Sequence, residues 1–321
     1  MFPPLSTIFY NRLSEIIPEN RIAQVTNSFS AEKPVAFRVN TLKNTIDNVV
    51  FILQDHHFDL TNIPWNPLAF TIPFEQREQL TRHTLFLSGD IYIQSLASQI
   101  PALILNPQLD EEILDLTAAP GSKTTQIAAL MQNTGRIAAV EMAKPRFFRL
   151  LANVKLQGAT NVVTYLKDGT RVGKACPDRF DRVLLDAPCS SEGRFHLSNP
   201  DSFAYWSLNK IKAMSKKQWP LLQSAFHALK PGGILVYSTC TFAPEENEMM
   251  VQKLLHAFPD DLKIVPIDIA LPEKNKMAGL THCRDNTFDA ALQNTLRVLP
   301  DETMDGFFVA CLEKIKKGGS I

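Results

Sequence analysis

The chain has 321 residues, 45% of them hydrophobic, which is enough for a catalytic domain plus a smaller one, each burying its own core. Its 33 basic and 33 acidic residues cancel, so no global field draws in a polyanion and any nucleic-acid site must be a local patch. No apolar run approaches a membrane span, Met1-Phe2-Pro3-Pro4 lacks the features of a signal peptide, and the five cysteines form neither a CxxC pair nor a Cys/His cluster at zinc spacing. Free thiols in a cytoplasmic protein, with no membrane and no metal partner, are the expectation.

From the N-terminus, residues 8–17 carry Ile8, Phe9, Leu13, Ile16 and Ile17 at roughly helical spacing and stop at Pro18. This predicts a helical lead-in over residues 1–30 that serves packing. Val35-Ala36-Phe37-Arg38-Val39-Asn40 alternates like a strand, and residues 45–57 place Ile46, Val49, Val50 and Leu53 at helical spacing. Residues 60–72 and 85–93 read as further strands, which gives a small α+β domain over residues 31–105. No internal repeat or low-complexity segment is evident, which argues against a solenoid or a disordered linker.

Residues 112–129 read EILDLTAAPGSKTTQIAA: a short apolar strand, a tight turn of small residues and the first turns of a helix. Ile113 and Leu114 fit a buried parallel strand ending at Asp115, and Pro120-Gly121-Ser122 lets the backbone approach a ligand at the N-terminus of a helix over 123–131. G-x-x-x-x-G-K-[ST] and G-x-G-x-x-G are both absent, so a ligand other than a pyrophosphate is expected. The next strand, 135–140, ends in Glu141, about 26 residues beyond Asp115, where doubly wound folds place an acid on ribose hydroxyls. S-adenosylmethionine fits, with its amino group toward Asp115 and its ribose toward Glu141; otherwise both acids merely end strands.

The helix over 145–157 starts at Pro145, places Phe147, Leu150, Leu151 and Val154 on one face and stops at Gly158. Strands over 161–166 and 182–185 follow. A later helix, interrupted by Pro220, ends before Lys230-Pro231-Gly232-Gly233, a turn into the strand 234–237. Helices alternating with buried strands define an α/β unit.

Ligands bind beyond the carboxyl ends of strands in such sheets, and two of these ends carry cysteines. Leu184-Leu185 leads into Asp186-Ala187-Pro188-Cys189-Ser190-Ser191, and Val236-Tyr237 leads into Ser238-Thr239-Cys240-Thr241, followed by Pro244-Glu245-Glu246-Asn247-Glu248. A cysteine alone reads as a small buried hydrophobe. Two at predicted cleft positions read instead as thiols sharing one cleft.

Taken in order, residues 115–125 (DLTAAPGSKTT), Asp186-Ala187-Pro188-Cys189-Ser190 and Ser238-Thr239-Cys240-Thr241 with Pro244-Glu245-Glu246-Asn247-Glu248 resemble the Sun/Fmu (Nop/Sun-type) family of S-adenosylmethionine-dependent RNA cytosine-5 methyltransferases. Arg38-Val39-Asn40-Thr41-Leu42-Lys43, Arg297-Val298-Leu299-Pro300 and Asp305-Gly306-Phe307-Phe308 match as well, so the resemblance spans about residues 35–313. It implies a Rossmann-like class I methyltransferase sheet over residues 106–321 and an RNA-recognition-motif-like N-terminal domain. It also implies that Thr117, Ala118, Ala119, Pro120, Gly121, Ser122 and Lys123, with Asp115, Glu141, Asp168 and Asp186, line the cofactor site. Many relatives carry cysteine and glycine where Thr117 and Ser122 stand; both residues are small, so the loop should survive with an altered cofactor affinity.

Carbon 5 of cytosine is a poor nucleophile, but a thiolate added at carbon 6 makes the ring enamine-like, so that carbon 5 can attack a sulfonium methyl. The carbon-5 proton must then leave before the enzyme is eliminated, which calls for a base or a second thiol. By the resemblance Cys240 is the nucleophile and Cys189 assists release, whereas DNA cytosine methyltransferases use the cysteine of their Pro-Cys motif, the reverse assignment. Asp186 serves the cytosine amino edge or is a strand-end turn acid. Lys123 stabilises charge near the cleft or points to solvent, and Asp168 meets the adenine amino group or makes an ordinary Asp-Gly turn.

The expected partner is RNA, ribosomal or transfer, with the target cytosine out of any duplex stack. Expected contacts are Arg38, Asn40 and Lys43 in the small domain and Arg194, Lys210 and Lys212 beside the cleft, where Lys216 and Lys217 extend the basic run. Tyr205 and Trp206 either stack on unpaired bases or pack into the core. No obligate protein partner and no recognition domain after Lys317 are evident. Two further functions stay open. One is a cofactor-binding RNA-assembly factor with incidental turnover; the other is an amino-group methyltransferase, disfavoured because Asp186-Ala187-Pro188-Cys189 replaces the usual Asn/Asp-Pro-Pro-Tyr/Phe.

Overall fold

The computed structural model describes residues 5–315; the Met1-Phe2-Pro3-Pro4 start, Lys316 and Lys317 lie outside the described residues. The lead-in forms two helices, α1 (Thr7–Ile16) and α2 (Glu19–Ser28), broken at Pro18. Ser6 caps the first by accepting from the Phe9 N–H. Their apolar faces, with Phe9, Leu13, Ile16 and Val25, join the core of the large sheet. Among the described residues no helix is long and apolar enough to cross a membrane.

The small domain runs β1 (Val35–Val39), α3 (Ile46–Asp55), β2 (Thr61–Asn62), β3 (Ala69–Ile72), α4 (Arg77–Arg82), α5 (Thr84–Leu87) and β4 (Ile91–Ile93). Its antiparallel sheet has the order β2-β3-β1-β4, a β-α-β-β-α-β arrangement with β1 and β3 central. Phe37, Val49, Leu53, Phe70, Leu80 and Ile91 form its core. Two of its elements differ from expectation. Residues 60–72 split into two short strands around a turn in which the Asn66 and Ala69 N–H groups donate to the Ile63 and Asn66 carbonyls. Residues 85–93 begin as the helix α5, because His83 caps that turn at the Leu85 N–H and Gly89, at φ 81°, turns the chain before β4. A short apolar run alone carries no period that separates these outcomes.

The large domain continues with α6 (Leu96–Leu105), β5 (Glu112–Asp115), α7 (Ser122–Leu130), β6 (Arg136–Glu141), α8 (Lys144–Leu156), β7 (Val162–Leu166), α9 (Val172–Ala175), β8 (Phe180–Asp186), α10 (Leu208–Ala228) and β9 (Leu229–Thr239). Then come α11 (Glu248–Ala257), β10 (Leu262–Val265), β11 (Lys276–Ala278), the β12 (His282–Cys283) and β13 (Asn286–Thr287) hairpin, β14 (Leu296–Val298) and β15 (Phe307–Lys314). The sheet order is β11-β14-β15-β9-β8-β5-β6-β7, with β10 also on β15. Strands β5 to β9 are parallel and β15 runs antiparallel beside β9.

The chain leaves β5 toward β6 and β7, then returns to lay β8 and β9 on the other side, so the switch point lies at β5 and β8. Helix α10 runs through Pro220 without ending. At Lys230-Pro231-Gly232-Gly233 the β8–β9 register jumps from Phe180 opposite Leu229 to Arg182 opposite Ile234, so the expected turn is a bulge within β9. Helix α6 lays Leu96, Ala97, Ile100 and Leu105 on Ile113, Leu184 and Val236 of the large sheet.

Candidate active site

At the end of β5, Asp115 is buried and accepts from Thr124 Oγ1 at 2.6 Å. Burial pushes its carboxyl up to about 6, against the pull of Thr124 and Lys123. The loop from Thr117 to Gly121 is held from α8, where Arg146 Nη2 donates to the Ala119 carbonyl at 2.6 Å and Asn153 Nδ2 to the Pro120 carbonyl at 2.8 Å. Gly121 has φ 104°, a conformation that favours glycine, and an added Cβ would stand 3.1 Å from Leu150 Cδ1. Ser122 opens α7, and Ala118 and Ala119 are buried with Ala139 and Leu150.

Glu141 ends β6, buried, with Oε1 accepting from the Ala143 N–H at 2.8 Å and Oε2 lying 3.5 Å from Arg146. Asp168, past β7, caps its own turn through Oδ1, which accepts from Thr170 N and Oγ1, while Oδ2 lies 3.8 Å from Arg171. Oδ1 thus makes the expected turn, and Oδ2 keeps only the long contact to Arg171.

Asp186, at the end of β8, is the junction between this loop and the thiols. Its Oδ2 meets Lys123 Nζ at 2.6 Å, its Oδ1 accepts from Ser238 Oγ at 2.9 Å, and its carbonyl accepts from Thr117 Oγ1 at 2.8 Å. Lys123 is buried and also reaches Ser98 Oγ at 2.9 Å, so it stabilises charge in the cleft and does not point to solvent.

The two cysteines meet: Cys189 Sγ and Cys240 Sγ are 3.2 Å apart, and the Cys240 N–H donates to Cys189 Sγ at 3.4 Å. Both are partly exposed. Their environment is asymmetric. The hydrogen bond from Cys189, then the positive charge of Arg194 and the Ser191 hydroxyl, lower the Cys240 thiol against the opposition of burial. The same bond, with burial, raises Cys189 well above its ordinary range. The pair therefore favours keeping the proton on Cys189, and Cys240 is the thiol that ionises more readily.

Buried carboxylates lie under both thiol loops. Glu246 accepts from the Ser190 N–H at 3.0 Å, and Glu192 accepts from the Phe242 N–H at 3.0 Å. Glu246 belongs to the Pro244–Glu248 segment that the resemblance already singled out, but nothing in the sequence pointed to Glu192 or to Gln218, which joins the network through Glu246.

The expected RNA contacts divide. Arg38 and Asn40 are buried, which removes them as direct contacts. Arg38 donates to Gln94 Oε1 at 3.0 Å and Thr125 Oγ1 at 2.7 Å, and Asn40 Nδ2 to the Gly89 and Gln157 carbonyls at 2.8 Å each. They fasten the small domain to α7 and α8, and burial pulls the Arg38 guanidinium down to about 10. Lys43 is exposed and donates to the Ser88 carbonyl at 2.6 Å. Lys210 is partly exposed and Lys212 exposed, both on the first turns of α10. Arg194 is exposed but directs its charge at the thiols, which raise it. Trp206 packs on Phe9 and donates to Glu192 Oε1 at 2.7 Å, while Tyr205 is 83% exposed. Among the described residues no group of three or more His, Cys, Asp or Glu is arranged to hold a metal ion.

A family model described as 16S rRNA methyltransferase RsmB/F matches residues 102–313, and one described as the N-terminal domain of 16S rRNA methyltransferase RsmF matches residues 5–96. The chain is 35% identical over 322 residues to the Ribosomal RNA small subunit methyltransferase F of Erwinia tasmaniensis, covering 98% of this chain and 64% of that protein. It is 39% identical over 285 residues to the protein of the same name from Serratia proteamaculans, covering 87% of this chain and 56% of that one. The chain thus spans somewhat over half the length of these relatives. Among solved structures, a methyltransferase homolog protein from Pyrococcus horikoshii superposes with a TM-score of 0.83 at 32% identity, covering 97% of this chain and 96% of that one.

Proposed function

The chain belongs to the 16S rRNA methyltransferase RsmB/F family, and from that premise we propose that it methylates carbon 5 of a cytosine in small-subunit ribosomal RNA through a covalent Cys240 adduct. The observation that carries this reading is the thiol pair at 3.2 Å, with the thiolate favoured on Cys240. S-adenosylmethionine supplies the electrophilic methyl group. The residues fit it: two buried strand-end carboxylates, Asp115 and Glu141, flank a loop of small side chains. Asp115 would hold the amino group, Glu141 the ribose hydroxyls and Asp168 the adenine amino group.

Cys240 adds to carbon 6 and the ring's electron pair moves to carbon 5, which would bond the methyl group as the methyl–sulfonium bond breaks and its electron pair stays on sulfur, leaving a neutral thioether. Asp186, fixed between Lys123 and Ser238, holds the amino edge of the base in the orientation that accepts this shift. Once Cys240 is bonded to carbon, the charge that kept Cys189 protonated is gone. Cys189 then releases its proton to water and removes the carbon-5 proton; the pair left behind re-forms the carbon 5–carbon 6 double bond and expels Cys240 as thiolate.

The test incubates wild type, Cys189→Ala and Cys240→Ala with an unmodified small-subunit rRNA transcript and labelled S-adenosylmethionine, scoring methyl transfer and denaturant-resistant protein-RNA adducts. Adducts should accumulate with Cys189→Ala and vanish with Cys240→Ala. The opposite pattern would make Cys189 the nucleophile, and undiminished transfer by both variants would remove cysteine catalysis.

A further inference from the structure

Each thiol stands on a short loop, and each loop is gripped by a buried carboxylate from the other. Glu246, which follows Cys240 in the chain, reaches across to the Cys189 loop. It accepts from the Ser190 N–H at 3.0 Å and from Gln218 Nε2 at 2.8 Å, and the same Gln218 amide donates to the Pro188 carbonyl at 2.9 Å. Cys189 is thus bracketed on both sides. Glu192, which follows Cys189, reaches the other way and accepts from Thr241 Oγ1 at 2.9 Å and the Phe242 N–H at 3.0 Å, just past Cys240. Ser190 and Thr241 hydroxyls meet at 2.7 Å, and the Gly193 N–H donates to the Cys240 carbonyl at 2.9 Å.

Burying two carboxyls this close together is unfavourable. Glu246 is wholly buried and pushed up to about 8, mainly by burial and in part by the charge of Glu192; Glu192, 2% exposed, is raised by its own burial. Apolar side chains of similar volume would fill the space at lower cost, yet they would leave the Ser190 and Phe242 N–H groups without acceptors. The carboxyls are therefore suited to placing the two loops against each other. Gln218 Oε1 is buried with no partner, so the donations of its Nε2 alone account for its orientation.

We propose that Glu246 and Glu192 are positioning residues that act crosswise: Glu246 places Cys189, Glu192 places Cys240, and each lies in sequence beside the thiol it does not serve. The inference rests on the two-cysteine chemistry proposed above. It assigns the two acids to different steps. Loosening the Cys189 loop slows release of the adduct, whereas loosening the Cys240 loop slows its formation. A displacement of about 1 Å is enough for an effect on the order of 100-fold.

The test uses Glu246→Met and Glu192→Met, which remove the acceptors at similar volume, beside Cys189→Ala and Cys240→Ala in the same rRNA assay, with thermal unfolding to establish that each is folded. Glu246→Met should behave like Cys189→Ala, with turnover falling and methylated RNA trapped on the protein. Glu192→Met should behave like Cys240→Ala, with adduct and transfer lost together. Where either does not fold, Gln218→Met and Thr241→Val, each removing one bond of the same clamps, take its place with weaker effects of the same kind. Equal loss in both acid variants, the opposite pairing, or wild-type behaviour in both would overturn the crosswise assignment. If the two cysteine variants do not themselves separate trapping from loss, the proposed chemistry fails first, and the clamp's role falls with it.

Discussion

On the β5–β6 side of the cleft the strand-end acids are held by near neighbours. Thr124, nine residues on, bonds Asp115; Ala143, two residues on, bonds Glu141; Thr170, two residues on, bonds Asp168. On the thiol side the corresponding bonds join residues far apart in the chain: Glu246 to Ser190 across 56 residues, Glu192 to Thr241 across 49, and Glu248 to Arg297 across 49. The acids of the first half are held within single strand-turn-helix units, although their loop is braced from α8 and tied to Asp186, whereas the thiol half exists only when the whole sheet has formed. A local site tolerates losing one bond, whereas a long-range network of buried charges does not.

The largest effect that would break this comparison concerns Arg297. Its guanidinium is buried and makes a two-pronged contact with Glu248, at 2.6 and 2.5 Å, while Nη1 donates to the Phe242 carbonyl in the loop after Cys240 at 2.9 Å. Arg297→Met leaves Glu248 buried and uncompensated, so denaturant unfolding should show a loss of about 3–5 kcal/mol. Thr124→Val, which removes one donor from buried Asp115, should cost about 1–2 kcal/mol. Equal losses would mean that the two halves are supported alike.

The same contrast decides what the sequence could reveal. Asp115, Glu141 and the small residues between them were legible because strand, turn and helix follow one another without interruption, and residues that touch are also close in the chain. Cys189 and Cys240 were legible because each ends a strand of the parallel sheet and the topology brings those ends together. Arg38 and Asn40 misled, because a polar residue in an alternating strand reads as solvent-facing, and only the packing of α7 and α8 against β1 buries both. Glu192 reads as one more polar residue in a loop, since its partners lie in another motif. Helix α5 is four residues long, too short to carry a helical period.

A pH experiment sharpens the β5 half. The Asp115 carboxyl, raised to about 6 by burial, is ionised at neutral pH, and a cationic amino group selects that ionised form. Binding of S-adenosylmethionine should therefore be strongest above pH 6 and weaken toward about tenfold for each pH unit below it, as protonation removes the acceptor. Titration of cofactor affinity between pH 5 and 8 measures this. Asp115→Asn should bind more weakly and lose that dependence; an unchanged profile in the variant would place the amino group elsewhere.

The smallest expected effect separates the buried basic residues from the exposed ones. Lys212 is exposed on α10, so if it meets a phosphate, Lys212→Ala should lower RNA affinity modestly and reduce the slope of log affinity against log salt by about 0.7–0.9, the loss of one counterion release. Arg38 lies beneath the surface, its Nε and Nη2 committed to Gln94, Ser122 and Thr125, so Arg38→Met should lower the unfolding midpoint while leaving the salt slope unchanged. The salt slope is the decisive readout, because a loosened small domain weakens RNA binding at every salt concentration whereas a lost phosphate contact weakens it least at high salt. A slope that falls with Arg38→Met and holds with Lys212→Ala would return Arg38 to the RNA surface and require β1 to part from α7 when RNA binds.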